Sequence, residues 1–206
     1  MMMKIIEESK KFNDLIVSSL MDSYDTLTLK VYTVMYFKQT YCQYVRYYIK
    51  VDDDVLIDLD RLDQQANSFS NLAHIYGAIR YNNSVIRRRM DKYYMPYKCY
   101  VQDFYPPFTL GMMYIIPLKA FRKIWKTLPI AIWLKLENVF YTSVVAEIAG
   151  VERINIDFMY SADNVQSLPD QWECDQYDRS KLVAASSFSN SDDLRKFYES
   201  YTKLNA

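Results

Sequence analysis

The feature that most constrains this chain is the run Val45–Val51, rich in β-branched and aromatic residues, which ends on three consecutive acids, Asp52, Asp53 and Asp54. Its apolar positions do not alternate cleanly, so the run reads as a strand buried on both faces, the kind found inside an α/β sheet. In open α/β sheets, ligands bind outside the carboxyl ends of the strands, which is where the acids stand. Three adjacent carboxylates repel one another, and without a cation at least one would be pushed toward protonation or would cost stability. Hard oxygen ligands select Mn2+ or Mg2+, completed by substrate phosphates and water. A solvated acidic turn is the competing reading of the same residues. The hydrophobic strand in front, which fixes the acids at a sheet edge, favours the metal.

The surrounding pattern is that of an α/β protein. Leu15-Ile16-Val17 reads as a strand end, and Asp22–Asp25 offers helix caps. Leu27, Val31, Val34 and Met35 follow at helical spacing and predict a helix to about Tyr41. Strand, helix, strand favours a parallel layer with a right-handed crossover. Downstream, the pattern predicts a short helix over Asp58–Ala66, a strand over Leu72–Ile79 broken by Gly77, and a tyrosine-dense stretch, Tyr93–Tyr105, of no clear type. Tyr105-Pro106-Pro107-Phe108 is a rigid turn. Met112–Ile116 reads as a strand, Pro117 opens a helix through Ala120, Ile124 and Trp125, and a further helix over Glu137–Ala149 stops at Gly150. Beyond Gly150 the signal thins to a polar loop, Ser186–Asp193, and a short amphipathic helix through Leu194, Phe197 and Tyr201. The 206 residues suit one domain.

Several function classes are excluded or disfavoured. Lysine plus arginine equals aspartate plus glutamate, 25 of each, so no net field draws the chain onto phosphate backbones, and nucleic acid is not expected as a partner. No stretch approaches the roughly 18 to 20 apolar residues of a membrane span, and Met1–Ile6 is too short for a secretory signal. Cys42, Cys99 and Cys174 lack the close spacing of a zinc knuckle and read as buried thiols. Asn82-Asn83-Ser84 fits the N-glycosylation pattern, a weak pointer to a secretory route. No Gly-rich phosphate loop accompanies the acids, which argues against a phosphoryl-transfer domain.

Several segments fall in an order that resembles the beta-1,3-galactosyltransferase family, over about Glu8–Val151. Glu8 through Asp14-Leu15-Ile16, then Asp22-Ser23-Tyr24-Asp25-Thr26-Leu27-Thr28-Leu29-Lys30, is similar to the segment upstream of that family's acidic motif. Lys50-Val51-Asp52-Asp53-Asp54-Val55 is similar to the motif itself. Ile75-Tyr76-Gly77, Val85-Ile86-Arg87, Lys92-Tyr93-Tyr94-Met95-Pro96, the proline turn before Gly111 and Tyr114, and Glu137-Asn138-Val139-Phe140 before Gly150 follow in the family's order.

The resemblance implies a nucleotide-sugar glycosyltransferase fold of the single Rossmann-like (GT-A) type, with a mixed, mostly parallel sheet flanked by helices. It implies inverting transfer of a hexose from a UDP-sugar to a glycan hydroxyl, forming a β-1,3 link in protein glycosylation in the Golgi. Mn2+ or Mg2+ would sit at Asp52 and Asp54, with Asp54 the direct ligand. Asp52, Asp53, Arg87, Lys92 and Gly111 would meet the nucleotide sugar. Members begin with a tail, a membrane anchor, a stem, a first strand and an arginine-containing loop; nothing before Glu8 matches these, which reads as a missing front part. Residues 152–206 lie beyond the resemblance.

The departures concern chemistry. Where the family carries Glu-Asp-Val, with the aspartate its base, this chain has Glu137-Asn138-Val139. An amide cannot take the acceptor's proton. Either Glu137 replaces the base, although successive helix positions point about 100° apart, or activity is weak or lost and a binding site for nucleotide sugar or glycan remains. Leu110, Met112 and Met113 stand where members carry smaller residues, which would narrow the pocket. The late histidine near the metal is missing, and His74 reads as a core residue. Tyr93, Tyr94, Tyr97, Tyr100 and Tyr105 either stack on sugar rings or pack among themselves, and Trp125 and Trp133 read as packing residues.

Overall fold

The computed structural model describes residues 2–66, 69, 73–161, 182–186, 188 and 191–204. At its centre, β1 (Tyr47–Val51), β4 (Phe108–Pro117), β3 (His74–Arg80) and β5 (Glu152–Asn155) form a four-stranded sheet in the order β1-β4-β3-β5. β4 pairs antiparallel with both β1 and β3, whereas β5 pairs parallel with β3. The protein is therefore mixed α/β with a mixed parallel and antiparallel sheet, as expected. β1, β3 and β5 share a direction, yet antiparallel β4 is the direct partner of both β1 and β3.

The expected strand at Leu15-Ile16-Val17 is corrected: these residues are exposed coil, because a strand needs a ladder partner and none stands beside them among the described residues. The chain instead opens with α1 (Met2–Phe12) and reaches α2 (Leu27–Tyr41) through the 3-10 turn Tyr24–Thr26. Thr26 caps α2 without a side-chain hydrogen bond, so the acids at 22–25 are not used as caps.

Both faces of the sheet are covered, which is why its strands read as near-continuous apolar runs. On one face Tyr48, Ile75, Tyr114 and Ile116 pack with Val31 and Met35 of α2, and with Phe121 and Ile124 of α4 (Leu118–Thr127). Phe140, Tyr141 and Val145 complete that layer. On the other face Tyr76, Met113 and Ile115 pack against Leu62 and Ala66 of α3 (Leu59–Ala66), and against Met159, Val183 and Ala184. Each buried Val, Leu, Ile, Phe or Met among them contributes about 1.5–3 kcal/mol. Trp125 stacks on Phe121 and Tyr32, and Trp133 on Phe140, the packing roles expected of them.

A second small sheet joins β2 (Leu56–Ile57), β6 (Tyr160–Ser161) and β7 (Ala184–Ala185), with α7 (Ser191–Leu204) packing Phe197 and Tyr201 beside it. Cys42 and Cys99 are free, half-buried thiols; Cys174 lies outside the described residues.

Two irregularities shape the site. The β3–β4 ladder pairs Gly77 with Tyr114 and then Ile79 with Thr109, so Leu110–Met113 bulges opposite Ala78 alone. A Cβ on Gly77 would stand 2.7 Å from Thr109 Cγ2, so the close approach at the bulge requires glycine. The expected helix over Glu137–Ala149 is a helical run of α5 (Glu137–Val139), a π-helical turn (Phe140–Val144) and α6 (Val145–Ile148), ended by Gly150 at φ +59°.

Candidate active site

Alternation along β1 aims Tyr48 and Lys50 to the same buried side, and Asp52 continues the period just past the strand. Asp52 N donates to Met112 O at 2.9 Å, which extends the pairing with β4, and Val55 N donates back to Asp52 O across the turn. Asp53 and Asp54 occupy that turn and are exposed.

Lys50 is nearly buried, with its side chain 9% exposed. Its ammonium donates to Asp52 Oδ1 and Gly111 O, and stands 3.2 Å from Glu137 Oε1. The other oxygen, Glu137 Oε2, accepts from the Tyr114 hydroxyl at 2.9 Å. Glu137 is 3% exposed; burial raises its pKa, against the opposing pull of Lys50 and of the Tyr114 hydrogen bond. Burial raises Tyr114 further, well above its ordinary value.

Asn138 is tied to β4 from the first turn of the helical run. Its Nδ2 donates to Thr109 O at 2.9 Å. Thr142 Oγ1, in the π-helical turn, donates to Asn138 O and accepts from Thr109 N. Because the bulge interrupts the ladder at this point, the helical run supplies partners to the strand's backbone.

These elements enclose a cavity of about 380 Å³. Lys50, Asp52, Gly111, Glu137 and Asn138 line it, with Tyr24, Arg80, Lys92, Tyr93 and Tyr105 among the other lining residues. The Lys92 ammonium lies 5.0 Å from the ring centres of both Tyr24 and Tyr93, and those rings meet edge to face at 6.1 Å. Burial, reinforced by Tyr93, Glu137 and Asp52, pushes the Tyr24 hydroxyl up to about 12, so it stays neutral near pH 7.

Of the residues singled out in the sequence, the structure brings Asp52, Lys92, Gly111, Glu137 and Asn138 together; Asp53, Asp54 and Arg87 are not among the cavity's lining residues. Arg87 stacks 3.8 Å from the Tyr97 ring centre and gives its terminal nitrogens to the carbonyls of Met95, Tyr100 and Gln102. Its guanidinium holds the 86–102 loop. Tyr100 and Tyr105 pack together at 5.0 Å, and Tyr93 and Tyr105 reach the cavity. His74 faces Glu152 across the β3–β5 edge.

The electrostatic reading of the acids changes with the structure. Lys50 supplies the positive charge beside Asp52, and exposure to solvent relieves Asp53 and Asp54. Among the described residues no three acidic, histidine or cysteine side chains stand together as a metal cage. The donor set fits only a cation that takes its remaining ligands from phosphate oxygens and water, a common arrangement for Mg2+.

Sequence reasoning passed over Tyr24, Lys50, Arg80 and Tyr114. Lys50 had a visible signal: a lysine on an apolar strand, two positions before Asp52, shares its side of the pleat.

The chain belongs to the galactosyltransferase family, whose model matches residues 1–157. It is 33% identical over 136 residues to beta-1,3-galactosyltransferase 1 of Homo sapiens and of Mus musculus, covering 65% of this chain and 42% of each relative. It is 27% identical over 124 residues to the lactosylceramide 1,3-N-acetyl-beta-D-glucosaminyltransferase of Xenopus tropicalis, covering 59% of this chain and 33% of the relative. The chain thus spans less than half the length of these relatives. Among the described residues no helix is long and apolar enough to cross a membrane.

Proposed function

We propose that this chain binds a UDP-hexose in the cavity beside Asp52 and is a β-1,3-hexosyltransferase acting with inversion on a glycan hydroxyl in protein glycosylation in the Golgi. The observation that carries the reading is the convergence on one cavity of Asp52, Lys92, Gly111, Glu137 and Asn138, residues from separate segments of the family resemblance. Asp52 and Asp54 would hold Mn2+ or Mg2+. When bound, the cation supplies positive charge against the departing diphosphate. Lys92, with Arg80, adds positive charge to the cavity lining. Tyr24 and Tyr93, neighbours on the same wall, offer flat apolar surface to a sugar or base.

A specific observation favours a second reading, a catalytically weakened relative that retains binding. Inverting transfer needs a base within reach of the acceptor hydroxyl. Asn138 presents an amide already donating to Thr109 O, and both oxygens of Glu137 are taken by Lys50 and Tyr114. Glu137 as replacement base would have to take the proton while already engaged by both partners and only 3% exposed.

Calorimetry of UDP with and without Mn2+, beside UDP-hexose turnover, tests both readings. Metal-dependent UDP binding that falls at least about tenfold in Asp54→Ala is expected for a carboxylate contributing to the metal. Turnover in the same protein supports the transferase, and binding without turnover supports the weakened relative. Folded protein that binds no UDP under either condition overturns both.

A further inference from the structure

Lys50 binds its surroundings in a way that neither the fold nor charge neutrality alone demands. An ammonium has three donors, and here each meets an acceptor on a different element. Asp52 Oδ1 lies just past β1, Gly111 O lies in the bulged stretch of β4, and Glu137 Oε1 opens the helical run at 3.2 Å. Glu137 is itself pinned from the far side by Tyr114, whose ring centre lies 6.0 Å from the Lys50 ammonium. Of the two carboxylates, Asp52 is substantially open, at 39% exposure, whereas Glu137 is 3% exposed. Its Oδ1 is held by Lys50, and Oδ2 has no protein partner among the described residues.

Resting on the nucleotide-binding reading above, we propose that Lys50 is the positioning residue of the cavity. It locks Asp52, Gly111 and Glu137 into one constellation and thereby presents Asp52 Oδ2 to the metal–diphosphate group in a single orientation. Freed from Lys50, the Asp52 carboxylate and the turn behind it would sample rotamers of which only some reach the ligand, and affinity falls by the fraction lost. A buried ion pair serving stability alone would have no such effect.

The two roles separate in an isoelectric variant. Lys50→Met alone leaves Glu137 buried without its cation and is expected to lower the melting temperature by roughly 6–20 °C. Lys50→Met/Glu137→Gln removes the pair together and should melt within about 4 °C of the wild type, since replacing both members of a buried pair is often near neutral. In that double variant the gain in UDP affinity on adding Mn2+ should fall about tenfold to a hundredfold, the range seen when a partner orienting a metal ligand is lost. Retention of the full Mn2+-dependent gain in the double variant would overturn the inference.

Hydrogen exchange on the ligand-free proteins keeps the inference separate from the nucleotide reading. The amides of Asp52 and Val55 should exchange faster in the double variant than in the wild type, although global melting has recovered. If the wild type shows no Mn2+-dependent UDP binding, the function proposed above fails and the exchange data decide on Lys50. Unchanged protection at 52–55 would then overturn its positioning role.

Discussion

Restoring a carboxylate at position 138 sets two effects of known direction against each other. In Asn138→Asp, an oxygen replaces the nitrogen that donates to Thr109 O at 2.9 Å. Thr109 is fully buried, so its carbonyl loses a donor and faces a negative oxygen. A buried acceptor left short costs about 1–3 kcal/mol, or roughly 2–12 °C in melting temperature for a chain of this size. Relief comes if the new carboxylate turns from Thr109 into the cavity, where an acceptor hydroxyl would lie. A positioned base contributes about a hundredfold to ten-thousandfold in rate, which is about 2.7–5.4 kcal/mol of barrier. The expected outcome is a less stable protein that transfers faster. Scanning calorimetry reads the first effect; release of UDP from a UDP-hexose, in the presence of Mn2+ and a galactose- or N-acetylhexosamine-terminated acceptor, reads the second. An unchanged melting temperature would refute the tie between Asn138 and Thr109. A lowered one with no gain in transfer would refute the reasoning that this amide is what separates the chain from full activity.

Two further outcomes follow from the same region. Gly77→Ala puts a Cβ 2.7 Å from Thr109 Cγ2 and 2.8 Å from Thr109 Cβ, so overpacking should cost about 1–3 kcal/mol. Adding Thr109→Ala should recover only part of that in thermal melts, because the second contact survives. The Glu137 carboxyl, held by burial above the ordinary 4.5, binds its proton more tightly in the folded protein than in the unfolded chain. Its stabilising contribution is complete below pH 4.5 and is lost as pH rises through the raised value. The melting temperature of the wild type relative to Glu137→Gln should therefore drop as pH climbs out of that window, and a flat difference would contradict the burial-driven shift.

Where the sequence carried a strong period or a backbone constraint, the fold was legible in it. The helix from Leu27, the strand into Asp52, the Pro117 start of α4 and the Gly150 stop all stand where spacing and backbone chemistry put them. What escaped were features set by partners distant in sequence. Antiparallel β4 between β1 and β3 follows from which edge each strand meets, and local pattern carries no such information. β5 reads Glu-Arg-Ile-Asn with mostly exposed side chains, so it offers no apolar alternation to detect. The site was legible in part: Asp52, Lys92, Gly111, Glu137 and Asn138 do share a cavity. Arg87 stands among the carbonyls of its own loop, a setting that local sequence does not reveal. Lys50 was overlooked because its role lies in joining Gly111 and Glu137, both far along the chain.

The bulge at Leu110–Met113 has a consequence for how such a pocket changes over time. Leu110 and Met112 sit outside the β3 ladder while still lining the cavity. Side chains there can be exchanged without shifting the β3 register, so this part of the lining is free to drift in shape and polarity while the sheet beneath stays fixed. The shape of such a pocket can thus diverge while the scaffold is kept.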